Sequence, residues 1–237
     1  SLDMASIVST RFGLAKELLK LNYPKEQPIT SITSARETAK ERFEELGVPL
    51  ERDEYWKFSS PNRFTSIAAM GGQGVEKVET IEKGNGDEIQ VFFKDGILDY
   101  NLSNLNLGYP EIEIIGLNDV SSSSVPWVEK LYGELEAGSH QQLRRPLAAY
   151  NTACASDGIF IRVKKITKKQ IVINYIGEIA NSVSLIHNLI KLEPKTNLTL
   201  IEKGEGTCRS NRTTEVDLLG NSQLNHVRFF GKNVRSD

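Results

Sequence analysis

The sequence has few of the residues that build disulfide frameworks and metal sites. Its 237 residues include two cysteines, Cys154 and Cys208, and three histidines, His140, His187 and His226. The cysteines lie far apart without a C-x-x-C partner, which argues against a disulfide scaffold and against zinc. No two histidines have the spacing of paired ligands on one helix or strand face. We therefore expect reduced cysteines and structural histidines.

The chain also lacks an excess of charge of one sign and a long apolar run. Lys and Arg total 29 and Asp and Glu total 31, for a net charge of −2, which argues against nucleic acid as a partner. No stretch approaches the roughly 18 apolar residues of a membrane-spanning helix, and the start has no signal-peptide pattern. These observations predict a soluble, cytoplasmic protein without a membrane partner.

Motifs of nucleotide-binding and hydrolytic enzymes are missing as well. There is no G-x-x-x-x-G-K-[ST] loop, so an ATPase step would belong to a partner. Gly204-Glu205-Gly206 lacks the third glycine of a dinucleotide site, and no G-x-S-x-G elbow occurs. Arg144 and Arg145 are expected to neutralise carboxylates rather than to bind phosphate. We assign no catalytic, cofactor-binding or metal-binding residue.

The first half of the chain reads as mainly helical. Its first predicted helix has an apolar stripe, and the second begins with a capping box at Ser34 and Glu37 and stops at Gly47. The apolar positions of these two helices are Val8, Phe12, Ala15 and Leu19, then Ala35, Ala39, Phe43 and Leu46. Pro126 opens a third predicted helix, which carries Trp127, Leu131 and Leu135 and ends at Gly138.

A hairpin and an aromatic segment interrupt these helices. The alternating residues near 89–98 predict a β-hairpin that turns at Asp95-Gly96. Residues 52–61 combine charges with Trp56 and Phe58, and we interpret the two rings as core residues rather than as parts of an active site.

The second half is rich in β-branched residues and reads as strands. Six apolar runs are separated by polar turns, which fits a sandwich, a barrel or a β-solenoid. They are 159–163, 171–176, 183–190, 198–202, 214–219 and 224–230. The sequence thus predicts an α+β protein with an α-rich region at 1–138 and a β-rich region at 139–237.

Two stretches resemble a known family. Residues 145–163, RPLAAYNTACASDGIFIRV, are similar to the PLAALNTA…DGVFIRV signature of the SufB/SufD family of iron-sulfur cluster assembly proteins. Residues 46–49 followed by 52–58 are similar to that family's N-terminal element and favour its SufD branch. Residues 192–202 and 221–227 resemble its successive coils.

The resemblance implies a fold and a function. It implies that 139–237 forms the first coils of a right-handed parallel β-helix, with Asp157-Gly158 as the turn into the first coil and Asn151 satisfying backbone groups. It implies a non-catalytic scaffold of the SUF complex that pairs with a SufB-like protein and a SufC-like ATPase. Any iron-sulfur cluster would belong to the assembled complex, not to this part of the chain.

Family members are longer, so the resemblance implies an N-terminal fragment. The SufC-like dock is then expected beyond Asp237. A β-helix that stops partway exposes unpaired strand edges, which predicts self-association unless that end is covered.

The alternative is a β-helix carbohydrate-active enzyme or binding module. Such an enzyme needs paired carboxylates along one groove, and the sequence singles out no pair. The candidate carboxylates are Glu178, Glu193, Glu202, Glu205, Glu215 and Asp217. A membrane-transport component, a label sometimes attached to this family, is disfavoured because the chain has no spanning segment.

Overall fold

The computed structural model of the chain describes ten segments. They are residues 4–25, 30–48, 64–69, 75–77, 87–105, 108–120, 125–134, 145–177, 184–206 and 210–230. Several predicted features lie outside the described residues: the aromatic segment 52–61, His140, Arg144, Glu178 and Cys208. Within the described residues, a small helical region precedes mixed parallel and antiparallel sheets, so the fold is α+β as predicted.

Four α-helices are described. They are α1 (Met4–Asn22), α2 (Thr30–Leu46), α3 (Pro126–Leu131) and α4 (Arg145–Cys154), and a 3₁₀ turn spans Leu117–Asp119. Gly47 ends α2 as predicted, with φ of 68° and its N–H bonded to the carbonyl of Phe43. The predicted N-cap at Ser34 is wrong, because α2 begins at Thr30 and the carbonyl of Ser34 accepts a bond from Thr38.

The other two helices also differ from expectation. The third predicted helix is interrupted, because α3 ends at Leu131 and Gly133 follows with φ of 78°, whereas Leu135 and Gly138 lie outside the described residues. The N–H of Gly133 leaves the helical pattern and donates to the carboxylate of Glu215 at 2.7 Å. Helix α4 was not predicted, although Pro146 in its first turn and the alanines behind it are typical of a helix start.

Eleven strands are described. They are β1 (Phe64–Ala69), β2 (Val75–Lys77), β3 (Glu88–Lys94), β4 (Ile97–Leu98), β5 (Ile112–Gly116), β6 (Ile159–Val163), β7 (Gln170–Gly177), β8 (Ser184–Leu192), β9 (Asn197–Gly206), β10 (Ser210–Leu218) and β11 (Gln223–Phe230). All six strands predicted in the second half are present as β6 to β11. Strands β3 and β4 form the predicted hairpin, and positive φ at Asp95 and Gly96 suits its two-residue turn.

The strands build two sheets. Sheet one has the order β1-β10-β8-β6-β5, and sheet two has the order β2-β11-β9-β7-β3-β4. From β6 to β11 the chain alternates between the sheets, and each strand pairs in parallel with the strand two steps later. The antiparallel pairs are those of β5 with β6 and of β3 with β4.

Strands from the first half complete both sheets. Strand β3 pairs with β7, whereas β1 pairs with β10 over six residues and β2 pairs with β11 over three. The two predicted regions, 1–138 and 139–237, therefore share both sheets. The edges of β10 and β11, which were expected to be open, are thus partly covered by β1 and β2. The predicted self-association stays a prediction.

The apolar core has three parts in a layered arrangement. Inward-facing side chains of both sheets pack between them, including Ile161, Ile190 and Leu200. On the outer face of sheet one, Phe160 and Leu189 pack against α2 and α3, and Leu185 packs against α1, α2 and α4. The helices thus form a layer over sheet one, and sheet two lies on the opposite side of it. None of the helices in the described segments is long and apolar enough to span a membrane.

Candidate functional site

Between the two sheets lies a cluster of five polar side chains. This inter-sheet cluster consists of Tyr175, Asn188, Glu202, Arg212 and His226, all of them buried, with at most 2% of any one exposed. The Nε2 of His226 bonds to Oε1 of Glu202. The hydroxyl of Tyr175 donates to Oε2 of Glu202 at 2.8 Å and accepts from Nδ2 of Asn188 at 3.0 Å. The guanidinium of Arg212 lies 4.1 Å from the centroid of the Tyr175 ring.

The charge of this cluster is balanced internally. Burial by itself raises the pKa of Glu202, but the hydrogen bond and charge of His226, together with Arg212 and Tyr175, hold that pKa below its ordinary value. Burial and the neighbouring carboxylate raise the pKa of Tyr175 well above its ordinary value. Glu202 is therefore a buried carboxylate and Tyr175 a neutral donor, and together they link β7 and β9 to β8, β10 and β11.

A second cluster lies on the other face of sheet one, beneath the helices. In this sub-helical cluster, Nε2 of His187 lies 2.5 Å from Oε1 of Glu215, and both side chains are fully buried. The ring of Tyr132 lies 4.6 Å from that of His187, and its hydroxyl donates to the carbonyl of Thr152 at 2.8 Å. Burial raises the pKa of Tyr132, so its phenol stays neutral. The cluster connects α4 and the residues that follow α3 to strands β8 and β10.

The segment that resembles the family signature holds the junction between helix and sheets. Asn151 on α4 donates from Nδ2 to the carbonyl of Ile186 at 3.2 Å, which confirms its predicted role with backbone groups. Asp157 accepts the N–H of Leu98 and the N–H of Gly158, each at 2.8 Å. Burial raises the pKa of Asp157 although these two bonds oppose it. Asn151 and Asp157 of the signature thus bind backbone groups of neighbouring elements.

Gly158 is the most tightly enclosed residue of this junction. A Cβ atom at this position would lie 1.8 Å from the backbone oxygen of His187, closer than any non-bonded contact allows. Residues 158 and 187 lie where β6 meets β8, so only glycine permits that approach. Asp157 and Gly158 directly precede β6, and their role as the turn into the first coil of a β-helix stays a prediction.

The carboxylates singled out for the carbohydrate-active alternative are mostly engaged with cationic or imidazole partners. Glu202 and Glu215 bond to buried histidines, and Oε1 of Glu193 lies 2.9 Å from Nε of Arg162. Asp217 lies beside Lys191 in parallel register, and burial raises its pKa. In the described part of the chain these groups form no solvent-open pair of the kind that glycoside hydrolysis uses. The side chain of Glu205 lies outside the described residues.

Cys154, the cysteine within the described segments, is an enclosed thiol at the end of α4. Burial raises its pKa to about 12, against the opposing charges of Arg36 and Lys40. Since the thiolate is the nucleophile, such a thiol is unreactive near neutral pH. This agrees with its interpretation as a small apolar residue.

We expect Cys154 to resist modification in the folded protein. In a Cys208→Ser variant, a chromogenic disulfide reagent at pH 8 should label Cys154 slowly in buffer and rapidly in concentrated urea, because unfolding restores an ordinary pKa. Rapid labelling of the folded variant would contradict the burial of this thiol. The matched control is the unaltered chain, which reports the reactivity of both cysteines together.

The surface carries two groups of lysines. An open groove of about 450 Å³ between the ends of α1 and α2 is lined by Lys16, Lys20, Lys25 and Lys40 around Tyr23. The second group lies in the turn from β6 to β7. Within the described residues no group of three or more histidine, cysteine, aspartate or glutamate side chains is placed to hold a metal ion.

Sequence reasoning identified every residue of the two His–Glu pairs but did not join them. Along each strand, alternate residues share a face, so His187 and Asn188 were bound to point in opposite directions. What was missing was the strand order, which places β8 beside β10 and β9 beside β11. The pairs lie 28 and 24 positions apart in the chain.

Comparison with known proteins adds no assignment. No protein-family model matches the chain, and no curated protein matches it significantly.

Proposed function

We propose that this chain is a non-catalytic scaffold subunit of a SUF-type iron-sulfur cluster assembly complex, of the SufD kind. In that role it pairs with a SufB-like protein and with a SufC-like ATPase that docks beyond Asp237. It works in the cytoplasm, and an iron-sulfur cluster is handled by the assembled complex rather than by this chain alone. The observation that carries the proposal is the resemblance of residues 145–163 to the SufB/SufD signature.

The placement of that segment supports the proposal. Its 19 residues form α4, the junction and β6, and two of its polar residues, Asn151 and Asp157, bind the backbone of neighbouring elements. A family signature of this kind is a requirement of architecture, since Asn151, Asp157 and Gly158 fix how the helix passes into the sheets.

The strand order supports the finer fold assignment. Chain segments that alternate between two sheets, each pairing in parallel with the segment two steps later, suit the first coils of a parallel β-helix. We propose the right-handed form, because parallel crossover connections overwhelmingly take that hand. The inter-sheet cluster then lies inside the coils and the helical layer outside them.

The carbohydrate-active alternative is less well supported. Its acid and base would have to be two carboxylates beside an accessible groove. Glu202 and Glu215 are fully buried and bonded to histidines, and Glu193 is bonded to Arg162. Burial therefore leaves Glu202 and Glu215 without access to a glycan, and the partly exposed Glu193 is engaged by Arg162.

Co-purification tests the proposal. The complete protein encoded by the gene should be produced with the SufB-like and SufC-like proteins of the same organism, and the complex sized by light scattering. We expect a ternary complex from the complete protein and loss of the SufC-like subunit when the 237-residue chain replaces it.

The controls separate loss of binding from loss of folding. Circular dichroism of each component shows whether it is folded, and an unrelated transporter ATPase replaces the SufC-like subunit as a control for specificity. A complete, folded protein that binds neither neighbour would refute the scaffold role.

A further inference from the structure

The turn between β6 and β7 presents an isoleucine among lysines. This lysine turn, residues 164–169, has the sequence Lys-Lys-Ile-Thr-Lys-Lys. Ile166 is 81% exposed, more than any other large apolar side chain among those described. A lone exposed aliphatic residue is common on proteins, so the charges and the rigidity of this turn are what distinguish it.

The backbone of the lysine turn is held firmly. The N–H groups of Lys164 and Lys165 donate to the carbonyl oxygen of Glu111 at 2.8 and 3.4 Å. Thr167 bonds through its hydroxyl to the carboxylate of Glu111 at 3.3 Å and accepts the N–H of Lys169 at 3.0 Å. Ile166 is therefore presented on a preorganised loop, which lowers the entropy lost when a partner binds.

The charge of the turn is only partly balanced. Nζ of Lys169 lies 3.3 Å from a carboxylate oxygen of Asp87 and 5.8 Å from the centroid of the Tyr109 ring. Lys164, Lys165 and Lys168 are exposed and make no ion pair with any of the described residues. In a chain with a net charge of −2, three such cations beside an apolar tip form a local positive surface.

We propose that the lysine turn binds an acidic segment of a partner protein, whose carboxylates meet Lys164, Lys165 and Lys168 and whose apolar side chain covers Ile166. A protein partner fits better than a membrane, because basic clusters that bind anionic lipid typically lie on an amphipathic helix or beside a membrane-spanning helix, and the lysine turn joins two strands. It also fits better than nucleic acid, which favours domains with a basic overall charge. An exposed isoleucine flanked by cations is complementary to an acidic segment that carries an apolar side chain.

Fluorescence anisotropy tests the proposal with a defined probe. The probe is a fluorescein-labelled peptide of aspartates with a central leucine, titrated with the full 237-residue chain. The test variant Lys164→Glu/Lys165→Glu/Lys168→Glu should bind the peptide at least about tenfold more weakly, since opposite charges then become like charges. Ile166→Ser should weaken binding by about tenfold through lost apolar burial.

A matched control separates the turn from net charge. The variant Lys16→Glu/Lys20→Glu/Lys25→Glu changes the total charge equally at exposed positions on the helical side, and it should bind like the unaltered chain. Added salt should weaken the specific binding, because screening acts on exposed charges. Thermal melting confirms that both triple variants remain folded.

Three results would overturn the proposal. One is failure of the unaltered chain to bind the peptide, and another is an equal loss in the control variant. The third is binding of phosphatidylglycerol vesicles or single-stranded DNA through the turn in place of the peptide, which would assign the surface to another class of partner.

Discussion

Glu202→Ala is expected to lower the free energy of unfolding by about 3–5 kcal/mol, because the change leaves the buried imidazole of His226 and the hydroxyl of Tyr175 without their acceptor and removes the carboxylate charge near Arg212. Glu202 is fully buried, and it bonds to His226 on β11 and to Tyr175 on β7. Urea denaturation followed by circular dichroism measures the effect. Lys203→Ala, at an exposed position on the same strand, should change the free energy by less than about 0.5 kcal/mol.

A double substitution distinguishes lost pairing from lost volume. Glu202→Leu/His226→Leu removes both members of the pair and should recover part of the stability lost in Glu202→Ala, since apolar replacements of a buried pair are often well tolerated. No recovery at all would show that the cluster does not act as a pair.

The stabilisation by Glu202 should also depend on pH. The pKa of Glu202 is lowered from its ordinary value of 4.5, so its contribution is fully present above that value and disappears as the pH falls through the lower folded value. The difference in unfolding free energy between the unaltered chain and Glu202→Gln should therefore shrink in acid. If the difference instead grows as the pH falls, the pKa of Glu202 is not lowered by folding.

Gly158→Ala is expected to lower the free energy of unfolding by about 3 kcal/mol, at the upper end of what overpacking costs. The added Cβ would lie 1.8 Å from the backbone oxygen of His187, and backbone cannot rotate away as a side chain can. The substitution has to separate β6 from β8 or move the helical layer. Thermal and urea unfolding measure the loss.

Gly220→Ala is the matched control for this prediction. A Cβ at Gly220 has no atom within 4 Å, and this glycine is not among those with positive φ. The substitution should be neutral or slightly stabilising, because alanine restricts the unfolded chain. Equal effects at the two glycines would mean that the loss comes from glycine replacement in general rather than from the contact with His187.

Local patterns were sufficient for most of the secondary structure. Strands β6 to β11 coincide with the apolar β-branched runs. Side chains of this kind pack well on the pleated surface of a sheet, whichever strand lies beside them. Gly47 and the pair Asp95-Gly96 were predictable because positive φ restricts the choice of residue. These features depend on a few consecutive residues, and tertiary contacts did not overrule them.

The helices show where local patterns fail. The apolar pattern predicted one continuous helix from Pro126, but α3 ends at Leu131, where the N–H of Gly133 bonds to Glu215 instead of to the helix. That bond joins residues 82 positions apart. A tertiary partner for one backbone N–H therefore decided the length of the helix. The start of α2 at Thr30 likewise bypassed the cap expected at Ser34.

The sequence by itself determined which strand residues are polar and which neighbours along a strand lie on opposite faces. The side chains of His187 and Asn188 had to point to opposite faces of the sheet, because alternation along a strand is a local property. Glu202 and Glu215 likewise fell within predicted strands. Only the tertiary structure decided that His187 meets Glu215 and His226 meets Glu202. Strand order depends on how the whole chain buries its apolar surface, and it joins residues that no local pattern connects.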